Sequence, residues 1–531
     1  MSNRFDYIVI GAGSAGCVVA NRLSSDKNKT VLLLEAGKSN HPLTRIPVSF
    51  ALLIDHPTVN WRYRSNPDEK TSNRNIPIPR GKLVGGSSTI NGLVYVRGQS
   101  LDYDIWAQMG NKGWSSEEVF PFFKKLENYV NPCEDLRGKK GLVNISQVTD
   151  RNLIYDAMFE AGEKLNIPFN EDYNSGDQEG FAFTQTTIFN GKRMSAKVAY
   201  IDPIKNRKNL EIITHAHVKK IIFENKVAKG VEFWQGDELK KVQANREIIL
   251  SSGSIGSPQI LQVSGIGNPE KLKKLGIEIV QNLNGVGENL HDHLMLRPIY
   301  KINGLKSLNK KINSLFGNLM IGLEYIFKRT GPMTMGASQL CMFAKSDSSL
   351  ELPDLQWHVQ PMSMDTLGAT KNHDFHAFTP TVSNIKPTSR GHVSIVDKDS
   401  RTYAKIKQNY LSTDNDRMIA AKGLKLTRKI IMESETFKKY SPEEYRPGIN
   451  INDDEELVKE ASNYAQTIFH PVGTCKMGQD EMSVVDEKLR VRGVRNLRVI
   501  DASIMPNITS GNTNAPTIMI AEKGADMILN H

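Results

Sequence analysis

The sequence FDYIVIGAGSAGCVVANRL, from Phe5 to Leu23, contains the elements that decide the fold. Its apolar run Tyr7 to Ile10 predicts a buried parallel strand, and the residues from Ala15 onward predict a helix. A second apolar run, VLLLEAG from Val31 to Gly37, predicts the next parallel strand. Strand, glycine-rich turn, helix and second strand in this order are typical of a dinucleotide-binding α/β fold, and they disfavour a plain structural turn.

The turn between the strand and the helix suits a bound pyrophosphate. Gly11 permits the tight turn, Gly13 lets the backbone approach the phosphates, and Gly16 allows the helix to pack closely on the strand. Ser14 lies at the helix N-terminus, where free N–H groups and the helix dipole favour an anion. Glu35 ends the second strand, where a carboxylate accepts hydrogen bonds from ribose hydroxyls and repels a 2′-phosphate, which disfavours NADP.

Length and composition indicate a soluble protein of two or more domains. The chain has 531 residues, of which 39% are hydrophobic and 24% charged, as in ordinary globular proteins. The net charge of +10 is spread along the chain, and no nucleic-acid motif accompanies it. We therefore expect a solvated basic surface and no nucleic-acid partner, although the same balance allows an acidic substrate.

Cysteine use and the N-terminus indicate the cytoplasm. The four cysteines, Cys17, Cys133, Cys341 and Cys475, are far apart and form no CxxC pair, which predicts a reducing compartment without disulfides or structural zinc. The chain enters its first strand directly, without the basic and apolar segments of a signal peptide. No apolar run is long enough to span a bilayer.

A second glycine-rich stretch is PRGKLVGGSSTINGLVYVRG, Pro79 to Gly98. Glycine pairs and small hydroxyls suit a backbone that lies against a flat ligand and donates hydrogen bonds to it. The proline-punctuated segment before it, Asn60 to Lys82, predicts a surface excursion that covers a site. Interleaved apolar residues indicate that the glycine-rich stretch is buried: Leu83, Val84, Ile90 and Val94.

These motifs together resemble the glucose-methanol-choline (GMC) flavoprotein oxidoreductases, especially the choline-dehydrogenase-like alcohol dehydrogenases. Two later stretches carry the resemblance to the C-terminal helix: SGSIGSPQILQVSGIG from Ser252 and HPVGTCKMG from His470. The resemblance implies an α/β fold, with a Rossmann-like FAD-binding domain built on a parallel sheet and an α+β substrate or cap domain built on an antiparallel sheet. The expected FAD-binding domain comprises residues 1–155, 207–300 and 466–531, and the expected substrate domain comprises residues 156–206 and 301–465.

The resemblance also implies which residues bind FAD beyond the opening loop. Those positions are Val84, Asn91 and Val94 beside the flavin, Val218 with its backbone at the adenine, and Asp501 with Ala502 at the ribityl and phosphate groups. Some family members attach FAD covalently through a histidine just before the asparagine. This chain has Ile90 there, so we expect non-covalent FAD.

Catalysis in the family implies a base near the flavin. His470 matches the catalytic histidine, and Asn514 in GNTNAPT matches its hydrogen-bond partner, which orients the substrate oxygen. A histidine suits a proton acceptor at neutral pH. The last helix opens at Ala515, and its N-terminus would stabilise a reduced, anionic flavin if it points at the pyrimidine ring.

The substrate pocket is expected to contain Met295, Trp357, His358 and Phe469. Choline-oxidising relatives typically carry a glutamate at the position of Met295, and a thioether cannot balance a quaternary ammonium. Choline is therefore disfavoured. The nearby His291, Asp292 and His293 lack the further ligands that a metal site needs, so no metal is expected.

The segment Ser307 to Thr330 has two interpretations. Leucines and isoleucines repeat there at helical spacing, with lysines on other faces. A cap helix packed on its own domain is favoured. A basic amphipathic helix lying on a membrane is the alternative, so peripheral contact with the inner membrane face stays open.

The resemblance implies an FAD-dependent alcohol dehydrogenase that produces an aldehyde or ketone and passes electrons to a quinone or another non-NAD acceptor. An O2-using oxidase is the nearest alternative. A hydroxynitrile lyase on the same fold and a redox-silent flavin-binding protein are the other classes.

Overall fold

The computed structural model describes residues 3–129, 136–149, 151–366 and 371–530. Its α-helices are α1 Ser14–Leu23, α2 Phe50–Leu53, α3 Ser100–Gln108, α4 Ser116–Leu126, α5 Leu153–Glu163, α6 Gly253–Val263, α7 Pro269–Lys274, α8 Asn309–Asn313, α9 Leu315–Lys328, α10 Asp414–Ile431, α11 Glu435–Lys438, α12 Asp454–Ser462 and α13 Asn514–Leu529.

The strands form two large sheets and several short ribbons. They are β1 Arg4–Ile10, β2 Val31–Leu34, β3 Tyr63–Arg64, β4 Pro77–Ile78, β5 Glu127–Tyr129, β6 Val143–Gln147, β7 Gly180–Phe183, β8 Gln185–Thr186, β9 Ile188–Phe189, β10 Lys192–Arg193, β11 Leu210–Ile213, β12 Ala216–Glu224, β13 Val227–Gln235, β14 Glu238–Leu250, β15 Ile266–Gly267, β16 Gln281–Asn282, β17 Leu294–Leu296, β18 Ile299–Lys301, β19 Leu340–Ala344, β20 Leu355–Gln360, β21 Ala377–Asn384, β22 His392–Ser394, β23 Lys405–Lys407, β24 Glu443–Arg446, β25 Gln466–Thr467 and β26 Leu497–Val499.

The first sheet has the order β11-β2-β1-β14-β13-β12, and β26 pairs with β14. Strands β11, β2, β1, β14 and β26 are parallel, and their central residues are buried because helices cover the sheet. The long strand β14 also forms an antiparallel hairpin with β13 through its polar first half. This confirms the Rossmann-like sheet that the opening motif predicts.

The second sheet has the order β24-β18-β21-β20-β19-β7, with β17 paired to both β21 and β25. Its pairings are antiparallel. One face packs on α5, α10 and α12 around a second apolar core. The two-layer antiparallel half is therefore confirmed, and its other face borders the cavity described below.

Some predicted elements have different limits in the structure. The chain crosses to the second sheet earlier and leaves it later than the predicted domain limits, because β17, β18 and β25 belong to the second sheet. The proposed FAD-binding ranges 207–300 and 466–531 therefore include strands of the substrate half. Strand β22 pairs with β23 in a separate ribbon.

The segment Ser307 to Thr330 contains helices, and α9 contacts its own domain through a narrow face. This helix buries only Gly317, Ile321 and Tyr325. The neighbouring backbone is close at this face, since a Cβ at Gly317 would lie 2.1 Å from the Lys311 carbonyl oxygen. Most of its large apolar side chains face outward.

No helix among the described residues is long and apolar enough to cross a membrane. Three cysteines, Cys17, Cys341 and Cys475, are free and buried. The fourth, Cys133, lies outside the described residues.

Candidate active site

One cavity runs from the opening glycine loop to His470, between the two sheets. With its open mouth it encloses about 2110 Å³ of empty space. Most of the site residues predicted from the sequence line it: Gly11, Gly13, Ser14, Glu35, Asn91, Val94, Val218, Met295, His358, Phe469, His470, Asp501, Ala502 and Asn514. Gly16, Val84 and Trp357 do not. Residues from opposite ends of the chain thus meet around one elongated space.

The glycine loop is packed too tightly for side chains. Gly11 has a φ of +95°, and a Cβ at Gly16 would lie 1.8 Å from the Gly11 carbonyl oxygen. A Cβ at Gly86, in the second glycine-rich stretch, would lie 2.6 Å from the Cα of Gly13. Gly16 therefore acts by helix packing away from the cavity, and the two loops that would face the cofactor touch each other through glycines.

Two helix N-termini open on the cavity without a side-chain cap. They belong to α1 and α13. Ser14 Oγ donates to Asn514 Oδ1 at 2.7 Å, which joins the first turns of the two helices. Their free N–H groups and dipoles fit two anionic regions of a dinucleotide cofactor, a pyrophosphate at one end and a reduced ring at the other.

The acidic residues at this end of the cavity have their oxygens engaged by the protein. Glu35 accepts from the N–H groups of Ala12, at 3.0 Å, and Gly37, at 2.8 Å. Asp501 accepts from the Gly253 N–H at 2.9 Å and from Ser257 Oγ at 2.5 Å. Burial raises the pKa of both carboxyls. Both Glu35 oxygens and Asp501 Oδ1 accept one hydrogen bond each, so each keeps a lone pair that can accept from a bound hydroxyl.

Val218 lines the cavity on strand β12, and its carbonyl accepts a hydrogen bond from Ser400 Oγ at 2.8 Å. Val84 lies outside the cavity, in the first core, because its side chain turns away while its N–H donates to the Lys38 carbonyl at 3.0 Å. Val84 therefore differs from the predicted contact, and it supports the loop from behind.

A buried arginine that sequence analysis missed holds the second glycine-rich stretch. Arg193 is fully buried, and its Nη1 donates to Asn91 Oδ1 at 2.7 Å and to the Asn91 carbonyl at 2.8 Å. Burial lowers the pKa of Arg193 to about 9. The arginine keeps Asn91 at the cavity wall.

Ile90 also lines the cavity, and its hydrocarbon side chain has no nucleophile that could bond to a flavin.

His470 is held in one tautomer by a chain of hydrogen bonds. His293 Nε2 lies 3.2 Å from the Ile385 carbonyl oxygen, which can only accept, so this nitrogen carries the proton. Burial lowers the pKa of His293 to about 3, so its Nδ1 is a bare acceptor facing His470 Nδ1 at 3.1 Å. His470 must therefore donate from Nδ1 and keep its lone pair on Nε2.

Burial, followed by repulsion from His293, His358 and Arg80, holds the pKa of His470 well below its usual range. The imidazole is thus neutral at physiological pH and can accept a proton at Nε2. A histidine charged before the reaction could not act as a base.

Asn512, and not the predicted Asn514, is the partner of His470. Asn512 Nδ2 lies 3.1 Å from His470 Nε2, and Gln356 Nε2 donates to Asn512 Oδ1 at 3.2 Å, which orients the amide. The chain enters helix α13 at Asn514, whose side chain is turned to Ser14 instead. The motif GNTN offers two asparagines two positions apart, and only the start of the helix distinguishes them.

Asp292 fixes the backbone at His293 and at His470. Its Oδ1 accepts from the N–H groups of His293, at 3.0 Å, and His470, at 2.8 Å. Its Oδ2 accepts from three side chains: Gln408 at 2.7 Å, Tyr410 at 2.6 Å and Thr467 at 2.5 Å. Asp292 and His293 therefore position His470. The described residues contain no group of three or more His, Cys, Asp or Glu side chains that could hold a metal.

The predicted pocket residues lie in two different places. His358 lines the cavity, 5% exposed, with neither ring nitrogen hydrogen bonded, and burial lowers its pKa to about 4. Met295 and Phe469 also line the cavity. Trp357 does not, because alternate residues of β20 face opposite sides of the sheet. Its Nε1 donates to Thr427 Oγ1 on α10 at 2.8 Å, inside the second core.

The chain before the second glycine-rich stretch covers part of the cavity, as its length predicts. Trp61, Tyr63 and Arg80 line it. An Arg80 Nη2 hydrogen bond to the Phe469 carbonyl joins this cover to the segment that carries His470. Phe469 has a φ of +71°, a left-handed conformation that is strained for a residue with a Cβ.

Comparisons with known proteins agree with this geometry. The N-terminal model of the GMC oxidoreductases matches residues 5–295, and the C-terminal model matches residues 387–521. The chain is 40% identical to an oxygen-dependent choline dehydrogenase of Vibrio vulnificus, over 100% of this chain and 95% of that protein. It is also 40% identical to an alcohol dehydrogenase [acceptor] of Pseudomonas putida, over 99% of this chain and 96% of that protein.

Solved structures are similar over the whole length. A pyridoxine 4-oxidase from "Mesorbium loti" superposes with a TM-score of 0.89 at 28% identity, covering 99% of both chains. A formate oxidase variant from Aspergillus oryzae superposes with a TM-score of 0.93 at 26% identity, covering 100% of this chain and 98% of that chain. With both family models and full-length relatives matched, the chain belongs to the GMC oxidoreductase family.

Proposed function

We propose that the protein oxidises an alcohol to an aldehyde or ketone, with FAD as the hydride acceptor and His470 as the general base. The observation that carries the proposal is the pair formed by His470 Nε2 and Asn512 Nδ2, 3.1 Å apart at the wall of the cavity that begins at the glycine loop. A bare imidazole nitrogen beside an amide donor is suited to one alcohol group, which needs a proton acceptor and a donor to its oxygen.

The cavity fits FAD, the cofactor that the family implies. Gly13 and Ser14 would hold the pyrophosphate, Glu35 the ribose, and Asn91 with the N-terminus of α13 the flavin. Bound FAD supplies hydride acceptance, which no side chain can provide. Ile90 at the wall supports non-covalent binding.

The proton step follows from the tautomer of His470. The substrate hydroxyl would give its proton to His470 Nε2, which is the nitrogen that carries the lone pair. Asn512 Nδ2, released from His470 Nε2 by the entering hydroxyl, donates to the substrate oxygen. The protonated ring can keep its Nδ1 hydrogen bond to His293, so it needs no rotation after the proton moves.

Exclusion of water supports the same chemistry. His470 is 7% exposed, and the cover formed by Trp61, Tyr63 and Arg80 lies over the cavity. A low-dielectric pocket strengthens the hydrogen bonds of the reacting oxygen. The proposed electron acceptor is a quinone or another non-NAD compound, by analogy with the alcohol dehydrogenase [acceptor], and the proposed compartment is the cytoplasm.

The experiment is anaerobic mixing of the flavin-loaded protein with choline and with aliphatic, aromatic and acidic alcohols. Bleaching of the flavin absorbance by at least one alcohol class is expected. A hydroxynitrile lyase would leave the flavin oxidised while it cleaves a cyanohydrin, and this result would contradict the proposal. Reoxidation by O2, followed separately, distinguishes an oxidase from a dehydrogenase.

A further inference from the structure

Arg297 is a buried cation without a counter-ion in the substrate half of the cavity. It lines the cavity and is 3% exposed. Its Nη2 atom has no hydrogen-bond partner, and no carboxylate among the described residues pairs with it. The neighbouring Arg446 pairs with Asp365 at 2.6 Å. Burial lowers the pKa of Arg297 to about 10, which leaves the guanidinium charged at neutral pH.

The sheet places Arg297 among other groups that a ligand could contact. Arg297 directly follows strand β17, and it lines the same cavity as Met295 and His358. His358 also lacks a partner at both ring nitrogens. Two buried polar groups without partners in one pocket are costly to the fold, which indicates that a ligand satisfies them.

The charge of this half of the cavity is unbalanced. Among the described residues that line the cavity, the acidic ones are Glu35 and Asp501, and both lie at the cofactor end with their oxygens engaged. Met295 adds no charge where choline-oxidising relatives have a glutamate. A cationic alcohol would therefore meet only positive charge here.

We propose that the substrate is an alcohol that carries a carboxylate, and that Arg297 binds the carboxylate while His470 and Asn512 engage the hydroxyl. The proposal rests on the proposed function and names its substrate class. The planar guanidinium donates two parallel hydrogen bonds to a carboxylate. One positive charge balances one carboxylate, whereas a phosphate dianion would leave a buried charge unmatched.

The test compares matched ligands on the flavin-loaded protein. The oxidisable pair is 6-hydroxyhexanoate and 1,6-hexanediol, and the non-oxidisable pair is hexanoate and hexanamide, whose binding is followed through the flavin spectrum. We expect hexanoate to bind about tenfold or more tightly than hexanamide. In Arg297→Gln this preference should vanish and the KM for the hydroxy acid should rise, with kcat little changed, while Arg297→Lys keeps part of the preference.

Equal binding of hexanoate and hexanamide by the wild type would overturn the carboxylate site, even if diols reduce the flavin. Equal losses for both ligands in Arg297→Gln would also overturn it, because they would indicate a structural role. If no alcohol reduces the flavin while hexanoate still binds through Arg297, the proposed function fails and the carboxylate site stands.

A separate observation concerns the surface of helix α9. Seven large apolar side chains point away from the protein, with exposed fractions of 91% for Leu315, 72% for Phe316, 57% for Leu319, 46% for Met320, 38% for Leu323, 63% for Ile326 and 80% for Phe327. These seven residues are called the apolar face. At 3.6 residues per turn they occupy the side opposite the buried Gly317, Ile321 and Tyr325. An ordinary surface helix has the reverse arrangement.

Basic residues flank the apolar face at both ends. Lys306, Lys310 and Lys311 precede it and Lys328 and Arg329 follow it, all exposed. Glu324 is the one acidic residue between Lys306 and Thr330. Positive charges around an exposed apolar face match a bilayer with anionic headgroups. A second copy of this chain would bring the same lysines together across a two-fold axis, which disfavours a dimer.

The apolar face lies near the cavity. Tyr325 OH donates to the Gly191 carbonyl at 3.1 Å, in the hairpin whose Phe189 is 43% exposed. The turn after α9, Pro332–Thr334, contacts Pro47–Ser49, which leads into α2. In this helix Leu52 is 66% exposed, and Phe50, its first residue, lines the cavity.

We infer that the apolar face seats the protein on the surface of an anionic lipid bilayer. The test is flotation of the full, flavin-loaded chain with vesicles of phosphatidylcholine and phosphatidylglycerol, compared with phosphatidylcholine alone. Wild-type protein should float with the mixed vesicles. Phe316→Ser/Phe327→Ser should lower the bound fraction by about tenfold, and Lys310→Glu/Lys311→Glu should remove the preference for anionic lipid.

Met418→Ser, a change at a side chain that is 48% exposed on α10, serves as the matched control and should float like the wild type. Flavin content and alcohol-dependent reduction of a soluble dye show that each variant is folded. Failure of the wild type to float would overturn the inference. A concentration-dependent dimer that Phe316→Ser/Phe327→Ser abolishes, without lipid binding, would assign the face to a second copy.

Discussion

The two ends of the cavity differ in how their polar groups are satisfied. At the cofactor end, Glu35 and Asp501 accept hydrogen bonds from protein N–H and hydroxyl groups, and glycines keep the loops in contact. At the substrate end, His358 and Arg297 have buried nitrogens without partners. The carboxylates at the cofactor end are therefore held by the protein, whereas the nitrogens at the substrate end are free to bind a ligand.

We infer that residues at the cofactor end bind the cofactor, whereas residues at the substrate end select and activate the alcohol. Changes at the cofactor end should abolish flavin binding and every later step. Changes at the substrate end should keep the flavin and alter the rate, the substrate preference or the stability.

Gly16→Ala should abolish flavin binding. Its Cβ would lie 1.8 Å from the Gly11 carbonyl oxygen, which belongs to the backbone of the opening loop and cannot move without opening it. The measurement is the ratio of flavin to protein absorbance after purification, with circular dichroism as the folding control. Full flavin content in Gly16→Ala would show that the loop is not as tightly packed as described.

His470→Ala should retain flavin and slow its anaerobic reduction by about 10³-fold, within the range of general-base catalysis. The side chain lies at the substrate end, so cofactor binding is not expected to change. Stopped-flow absorbance at saturating alcohol measures the rate constant. A loss of less than about tenfold would assign the base to another residue.

Asn512→Ala should slow flavin reduction by about 10²-fold, because the substrate oxygen loses a donor. Asn514→Ala should have a smaller effect on this rate and should weaken flavin retention, because it breaks the link between Ser14 and α13. Comparison of these two variants shows which asparagine donates to the substrate oxygen. A larger rate loss in Asn514→Ala than in Asn512→Ala would support the partner predicted from the sequence.

Stability should fall as the pH is lowered from 7 to 5. Burial lowers the pKa of His293 to about 3 and of His358 to about 4, so the folded state resists the protons that the unfolded chain binds below about pH 6.5. Stability is thus highest above pH 6.5 and decreases below it, by up to about 2 kcal/mol for each histidine at pH 5. Tm measured against pH tests this, and His358→Gln should show a smaller decrease. A Tm that rises as the pH is lowered to 5 would contradict the predicted direction of the pH dependence.

Trp357→Phe should lower stability by about 1 kcal/mol, through the lost hydrogen bond to Thr427, and leave the KM for alcohol unchanged. His358→Phe should instead change the KM for alcohol, because His358 borders the cavity. Thermal unfolding and steady-state kinetics on both variants measure this contrast. A KM change in Trp357→Phe equal to that in His358→Phe would contradict the two-sided arrangement of β20.

The sequence predicted the strands, turn and helix around the opening glycine loop because these residues are contiguous. The run Tyr7 to Glu35 contains strand, glycines, helix and acidic residue in order, and each has one physical role. The parallel sheet and the antiparallel second half, both implied by the family resemblance, are also present. The predicted limits between the two halves differ from those in the structure, because the chain joins the second sheet early, at β17 and β18, and leaves it late, at β25. No change in composition marks those crossings.

The substrate end was harder to predict because it is assembled from distant strands. Arg297 and His358 come to one cavity only through the pairings of β17 and β20 with β21. Strand alternation distinguishes His358 from Trp357, but the strand register is needed to know which one faces inward. Asn512 was missed by two positions because its role depends on where α13 begins. The exposed apolar face of α9 was not predicted, because the helical periodicity is the same whichever face is buried.

If the unprotonated Nε2 of His470 accepts the alcohol proton, added imidazole should replace it in His470→Ala. Anaerobic flavin reduction by this variant is measured with imidazole over a range of pH. Imidazole should restore the rate constant, and the restored rate should rise with the fraction of neutral imidazole. A His470→Ala variant that is as fast as the wild type without imidazole, or a rescue that follows the imidazolium fraction, would contradict this role of His470.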